Sequence, residues 1–556
     1  MDEDKEKKKE QEKRTRAVLP VDPLPETEKE VPDESKDAEA LSERGKEEAL
    51  SQEDEILAAA ERKAPGGGPD AEELRAVIGR QHRIDYVSDK AVSQSKGRSF
   101  MLWLTASPVR LIALSFAFMI LAGALLLMLP LSSASGEATD FFTALFTSCS
   151  AVCVTGLVLV DTGTYWSAFG HVVLLCLIQV GGVGLITIIA AFFSLSKRKM
   201  NLKVLRAVQD SVGSDSADGV YKLVRRVLKI TFFFEFTGGL ILSLRYMKYM
   251  PAKEAFGCGM FQGVSAFCNA GFDLLGSRFG RYASLTGLGQ DPVILFVSAF
   301  LLTFGGLGFV VWIELFDYRK TEKLSFHSKT VLKLTGGILL FGSLAFFLLE
   351  NSNRAQGALG ALPAYQRPQA AFFQAATLRT AGFNSIDQSG LHTASKLLAC
   401  LIMFIGAGPV STGGGMKVST CAIVAASWKS NVRGNRRVYL FGHKITAQNV
   451  MRAFAIVFSG ALIAALSTFI LTLTERAALA AGDFSAVDLL YESLSALCTV
   501  GVTSLQTENL SFWGRLPILL SMYLGRIGPF SFALLIALRS QKEDEIVLPE
   551  GKTFVG

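Results

Sequence analysis

Charge is scarce over most of this chain. Residues 101–556 hold only 24 acidic and 37 basic side chains, far fewer than the quarter of residues usual for soluble domains. An ordinary soluble enzyme is therefore a poor fit. Metal and disulfide chemistry are also poorly provided for. The eight cysteines include no C-x-x-C pair and mostly sit in apolar runs, so neither a zinc site nor a disulfide framework is expected. The five histidines are scattered with no H-E-x-x-H pair, and no paired-carboxylate site suggests itself. The start, MDEDKEKKKEQEKR, lacks the apolar core of a secretory signal.

What is present divides sharply. Residues 1–100 carry 26 acidic and 19 basic side chains, with scattered Pro and the Pro65–Gly68 stretch. Such a head buries too little apolar surface to offset the entropy of ordering, so 1–98 is expected to be a largely disordered extension. The body then reads as apolar runs. Leu111–Pro130 is free of charge, and so is His171–Leu195 apart from its neutral histidine. Further runs lie near 229–247, 292–316, 330–349, 394–426, 450–474 and 513–538. About twenty helical residues cross a hydrocarbon core about 30 Å thick, so eight crossings are expected. The chain is thus an all-α polytopic membrane protein in a lipid bilayer. The 196–229 loop carries nine Lys/Arg against three Asp, and the 317–333 and 427–452 loops are also basic. The positive-inside rule puts these loops and both termini in the cytoplasm. It explains the basic charge without a nucleic-acid partner.

Four shorter apolar segments, Phe141–Val152, Phe256–Cys268, Ala370–Arg379 and Val487–Cys498, reach only half-way across. Each runs into an irregular stretch: SAVCVTGLV, SAFCNAGFD, ATLRTAGFN and SALCTVGVT. The stretches centre on Gly156, Gly271, Gly382 and Gly501, separated by 115, 111 and 119 residues. A second series follows in step, QVGGVG, TFGGLG, FIGAGP and YLGRIG, placing Gly181, Gly305, Gly406 and Gly525 in parallel positions. The pattern is span, half-helix, glycine stretch, span, repeated four times. It divides the body into 99–195, 196–316, 317–426 and 427–539, with a tail at 540–556. Irregular backbone at membrane depth survives only where protein or water covers it. Four such stretches around one axis form a central pore with pseudo-fourfold symmetry, one per monomer. Rings of peptide carbonyls there replace a cation's hydration shell. Glycine supplies the φ > 0 this needs. The other reading is close helix packing at the glycines, which is stronger for the second series.

These motifs resemble the filters of the Trk/Ktr/HKT superfamily of potassium transporters, most closely its KtrB-like members, over about residues 100–556. The resemblance implies K⁺ held by backbone carbonyls of Val154, Thr155 and Gly156, of Asn269, Ala270 and Gly271, of Thr380, Ala381 and Gly382, and of Thr499, Val500 and Gly501. K⁺ is the implied transported ion, and Na⁺ is a second candidate. The stretch GAGPVSTGGGMK breaks the third closing span, because proline and a triple glycine disfavour helix. The resemblance makes it an intramembrane gate including Gly406, Gly408, Pro409, Ser411, Thr412, Gly413, Gly414, Gly415 and Lys417, with Arg526 beside it. It further implies a homodimer seated on a cytoplasmic ring of KtrA-type nucleotide-binding (RCK) subunits. ATP or ADP would bind that partner, with no cofactor in this chain and no enzymatic activity. Glu235, in FFFEFTGG, is an intramembrane charge without an evident partner. Asp161, Asp273 and Asp387 follow three of the filters as cation-attracting groups or turn caps. The alternative function is a cation carrier built on inverted repeats with a midplane site. Four units in one order and topology favour the pore.

Overall fold

A computed structural model describes residues 108–184, 217–435 and 437–528. The expected polar head, residues 196–216 of the basic loop and the 540–556 tail lie outside the described residues. So do the ends of the first and fourth closing spans. The described chain is helical apart from a short antiparallel ribbon, Tyr439–Leu440 with His443–Lys444.

Long helices alternate with short ones. The first set is α1 (Pro108–Leu127), α2 (Phe141–Cys153) and α3 (Ala168–Val183). The second is α4 (Ala217–Tyr246), α5 (Ala252–Phe267), α6 (Pro292–Gly305) and α7 (Phe309–Thr321). The third is α8 (Phe326–Glu350), α9 (Arg367–Thr377), α10 (Thr393–Ile405) and α11 (Val418–Val432). The fourth is α12 (Ala447–Thr474), α13 (Ala486–Leu497) and α14 (Phe512–Ile527). In every set the short second helix packs on the long first one.

Starts and stops follow local chemistry. Asp140 caps α2 by accepting from the amides of Phe142 and Thr143, where an acid also suits the helix dipole. Ser485 and Asp488 form a capping box on α13. Glu254, in the first turn of α5, pairs instead with Arg278 at 2.6 Å. The outer surface is apolar: Phe118, Phe232, Phe233, Leu340, Phe341 and Phe458 are all more than half exposed. Aromatic and aliphatic faces of this extent belong against lipid.

The expectation that the 292–316 run is a single crossing needs correction. Among the described residues, Val224–Tyr246 of α4, α8 and α12 are long and apolar enough to span. The 292–316 run is not one helix. It bends by 102° between α6 and α7, at Gly308, whose φ is +108°. The helices α3, α10 and α14 also stop at positive-φ glycines, Gly184 (+88°), Gly406 (+73°) and Gly528 (+98°). This corrects the second glycine series. Gly406 ends its helix, like Gly184 and Gly528, and is not the counterpart of Gly181.

Gly181, Gly305 and Gly525 instead lie flat against the ends of the short helices. A Cβ at each would strike the carbonyl oxygens of Val152, Phe267 and Leu497 respectively. The close-packing reading therefore holds for these three. Gly525→Val is expected to lose about 1–3 kcal/mol through overpacking. This is read as a lower melting midpoint of the detergent-solubilised protein. Gly336→Ala on α8, where a Cβ meets nothing within 4 Å, should leave the midpoint unchanged or raise it.

Candidate functional site

The four short helices end where the four glycine stretches begin, and the stretches share one backbone conformation. The first residue of each is left-handed: Val154 (φ +55°), Asn269 (+59°), Thr380 (+68°) and Thr499 (+49°). Non-glycine residues rarely occupy this region, and a β-branched one there is strained. Two residues on, Gly156, Gly271, Gly382 and Gly501 also have positive φ, from +72° to +94°.

The glycines meet. A Cβ on Gly156 would lie 3.0 Å from the Gly271 Cα, and one on Gly271 would lie 3.0 Å from the Gly382 Cα. One on Gly382 would lie 3.4 Å from the Gly501 Cα, and one on Gly501 would lie 3.1 Å from the Gly156 Cα. The same Cβ atoms would collide with the carbonyl oxygens of Ala270, Ala381, Val500 and Thr155, in that order round the ring. The middle residue of each stretch thus turns its carbonyl toward the neighbouring glycine. A side chain here would fail both on φ and on space.

Hydroxyls from the last turns of the short helices hold the stretches. The Ser150 Oγ accepts from the Gly156 amide at 3.0 Å, and the Ser495 Oγ from the Gly501 amide at 3.1 Å. The Ser265 Oγ accepts from the Phe272 amide (3.0 Å) and donates to the Phe272 carbonyl (2.7 Å). Thr377 does the same for Phe383, at 2.9 and 2.7 Å. Sequence reasoning missed these four groups, although three stand first in their motifs as aligned. The Thr155 and Thr499 hydroxyls are buried and meet no partner.

The 406–417 loop lies directly against one side of the ring. A Cβ on Gly413 would strike the Thr380 hydroxyl, and one on Gly414 the Thr499 hydroxyl. The Thr412 Oγ1 donates to the Asn269 Oδ1 at 3.2 Å and lies equally near the Phe267 carbonyl. The loop also uses the backbone freed by the α6–α7 bend. The Gly408 amide donates to the Gly306 carbonyl at 2.8 Å, and the Phe309 amide to the Val410 carbonyl at 2.8 Å. Pro409 lies beside Gly308, and the Ser411 Oγ donates to the Gly408 carbonyl at 2.7 Å. The Lys417 Nζ reaches the carbonyls of Gly413 (2.5 Å) and Gly414 (3.3 Å). Arg526 donates through Nη1 to the Thr412 carbonyl at 2.7 Å and through Nη2 to the Gly181 carbonyl. A charge at membrane depth needs such partners, and here they are peptide oxygens rather than a carboxylate.

The opposite side of the ring opens into a cavity of about 60 Å³ reached by Asp161, Asp273, Tyr282 and Glu508. The acids double as turn formers. Asp161 accepts from the amides of Thr164 (2.9 Å) and Tyr282 (2.8 Å). Asp273 accepts from the Leu275 amide at 3.0 Å, and Asp387 from the Ser389 amide at 3.0 Å. Tyr282 crosses the cavity to donate to Glu508. Further buried charged groups escaped sequence reasoning. Arg379 donates to the Thr335 hydroxyl at 3.1 Å, and Glu492 accepts from Thr507 at 2.6 Å. Lys396 pairs with Asp488 at 2.7 Å, and Glu350 accepts from the His392 amide at 2.9 Å. Isolated single charges in otherwise apolar helices give no pattern from which a partner can be read.

The sequence pattern of the TrkH family, described as cation transport proteins, matches residues 105–546. The chain belongs to that family. Among curated relatives, it is 34% identical over 456 residues to the Ktr system potassium uptake protein B of Bacillus subtilis, covering 82% of this chain and 98% of that one. It is 35% identical to the protein of the same name from Vibrio alginolyticus, covering 82% and 95%. It is 33% identical to the potassium/sodium uptake protein NtpJ of Enterococcus hirae, covering 81% and 97%. The crystal structure of the potassium transporter TrkH from Vibrio parahaemolyticus matches with a TM-score of 0.59 at 18% identity, covering 76% of this chain and 83% of that one. Its likeness concerns the fold. The family is one of transporters, and the apolar helices make this chain a membrane protein.

The cavity acids predict an effect on cation capture. Asp273→Asn removes a negative charge from the cavity, and half-saturation for rubidium uptake should rise about threefold.

Proposed function

We propose that this chain is the pore-forming subunit of a Ktr-like system, carrying K⁺ into the cell through the glycine ring. The observation that carries the reading is the closure of four like stretches, Val154–Gly156, Asn269–Gly271, Thr380–Gly382 and Thr499–Gly501, into one ring with carbonyls facing neighbouring glycines. A K⁺ ion entering it exchanges water oxygens for peptide oxygens. Short helices ending at the ring add the partial negative charge of their C-termini, which favours a cation. The four-unit repeat then serves as a pseudo-fourfold pore within each monomer. The names of the two Ktr relatives support K⁺ as cargo, and that of NtpJ keeps Na⁺ as a second ion.

The 406–417 loop is the gate in this reading. It lies against Thr380 and Thr499 and carries glycines that move at low steric cost, while Arg526 pins it and opposes cation passage. The basic loops give an orientation with both termini and the loop side of the ring in the cytoplasm. A homodimer on a KtrA-type nucleotide-binding ring, with ATP or ADP bound to the ring, is the assembly implied by this reading. The inverted-repeat carrier is disfavoured, because the four filters share one handed conformation and one chain direction relative to their helices.

Two experiments test it in a K⁺-uptake-deficient bacterial host. Gly156→Ser should lower the K⁺ over Na⁺ preference, measured as rubidium uptake under sodium competition. An unchanged preference would count against the filter. Shortening Gly406–Gly415 should raise uptake in cells lacking the partner subunit. A fall at normal expression would contradict a gate.

A further inference from the structure

Glu235 lies behind the ring, away from both the cavity and the loop. On α4 its neighbours Phe232, Phe233 and Phe236 are exposed, whereas Glu235 is only 2% exposed, on the inward face with Thr231 and Leu242. One carboxylate oxygen does all its bonding. The Gln179 Nε2 donates to Oε1 at 3.1 Å, and the Cys268 Sγ donates to the same atom at 3.4 Å. The other oxygen, Oε2, is buried and has no partner. The two donors come from different repeats. Gln179 is in the last turn of α3, and Cys268 immediately precedes the filter residue Asn269.

These contacts close a circuit. Asn269 accepts from the Thr412 hydroxyl, the Thr412 carbonyl accepts from Arg526, and Arg526 donates to the Gly181 carbonyl. Gly181 is two residues beyond Gln179, and Gln179 returns to Glu235. Gly182 seals the same joint: a Cβ there would lie 2.6 Å from the Cys268 Sγ. The Glu235 oxygen joins α3 to the second filter stretch directly, accepting from Gln179 on one side and Cys268 on the other.

We propose that Glu235 is a positioning residue for ion selection, an acceptor clamp that fixes the second filter strand against the end of the first closing helix. It touches no ion. Its effect reaches the ring through Cys268 and Asn269, and the loop through Gln179, Gly181 and Arg526. The clamp requires an oxygen that accepts two hydrogen bonds. It does not require a charge. The inference rests on the reading of the ring as a selectivity filter.

The test uses the full-length chain in the K⁺-uptake-deficient host, with rubidium uptake under sodium competition and immunoblots of the membrane fraction. Glu235→Leu should reduce the K⁺ over Na⁺ preference about threefold to tenfold, the range for loss of one or two hydrogen bonds in a membrane protein. Gln179→Leu should reproduce the direction of that change, and the double variant should be no worse than the stronger single one. Glu235→Gln keeps an accepting oxygen and should restore the native preference. If Glu235→Leu does not accumulate, Gln179→Leu decides the case. A native preference in Gln179→Leu, or a loss in Glu235→Gln as deep as in Glu235→Leu, would overturn the clamp. Gly156→Ser, run alongside, separates the two failures. If it relaxes the preference while the clamp variants do not, the filter stands and the clamp falls.

Discussion

Unpaired peptide groups are not tolerated in hydrocarbon, and the site is organised around that constraint. Four pieces of chain leave helical geometry at membrane depth, and each needs replacement partners. The hydroxyls of Ser150, Ser265, Thr377 and Ser495 supply them from the preceding helix, so each stretch is bonded to its own repeat. The carbonyls of Thr155, Ala270, Ala381 and Val500 are thereby left to face the neighbouring glycines. Strain in the left-handed Val154, Asn269, Thr380 and Thr499 is held by this local bonding, with each hydrogen bond worth about 1 kcal/mol net and more when its loss strands a buried group.

The four repeats are alike in this respect and unlike in others. Three have a cysteine before the glycine stretch, Cys153, Cys268 and Cys498, where the third has Arg379. Three closing helices lay a glycine on the end of the short helix, and the third does not. The same repeat breaks at Gly406 and sends its loop across to the second repeat's own break. The two interruptions complement one another: the carbonyl of Gly306 and the amide of Phe309, exposed by the bend, are taken up by Gly408 and Val410.

Much of this was legible in the sequence. The half-helices were readable because twelve apolar residues cannot cross a bilayer. The glycines were readable because nothing else recurs at that spacing with the same neighbours. The broken third span was legible from Pro409 and the triple glycine. The bend between Gly305 and Phe309 was not, since an apolar run contains no mark of a kink beyond glycines that pack equally well in straight helices. Nor did the second glycine series reveal that Gly406 stands three places out of step. Partners of Glu235 and Arg526 were hidden for a plainer reason. They lie 56 and 114 residues away in the chain, and one is a backbone oxygen that no residue type announces.

The attachment of the loop at its middle has a mechanical corollary. A segment tethered only at its ends can swing like a door. Thr412 is instead tied by its hydroxyl to the second repeat and by its carbonyl to the fourth, with the flanking peptides stitched to the α6–α7 corner. Displacing it means undoing several bonds in three repeats together. In the proposed gate, such a latch gives an abrupt threshold rather than a graded response, and a weak push on one helix alone leaves it shut.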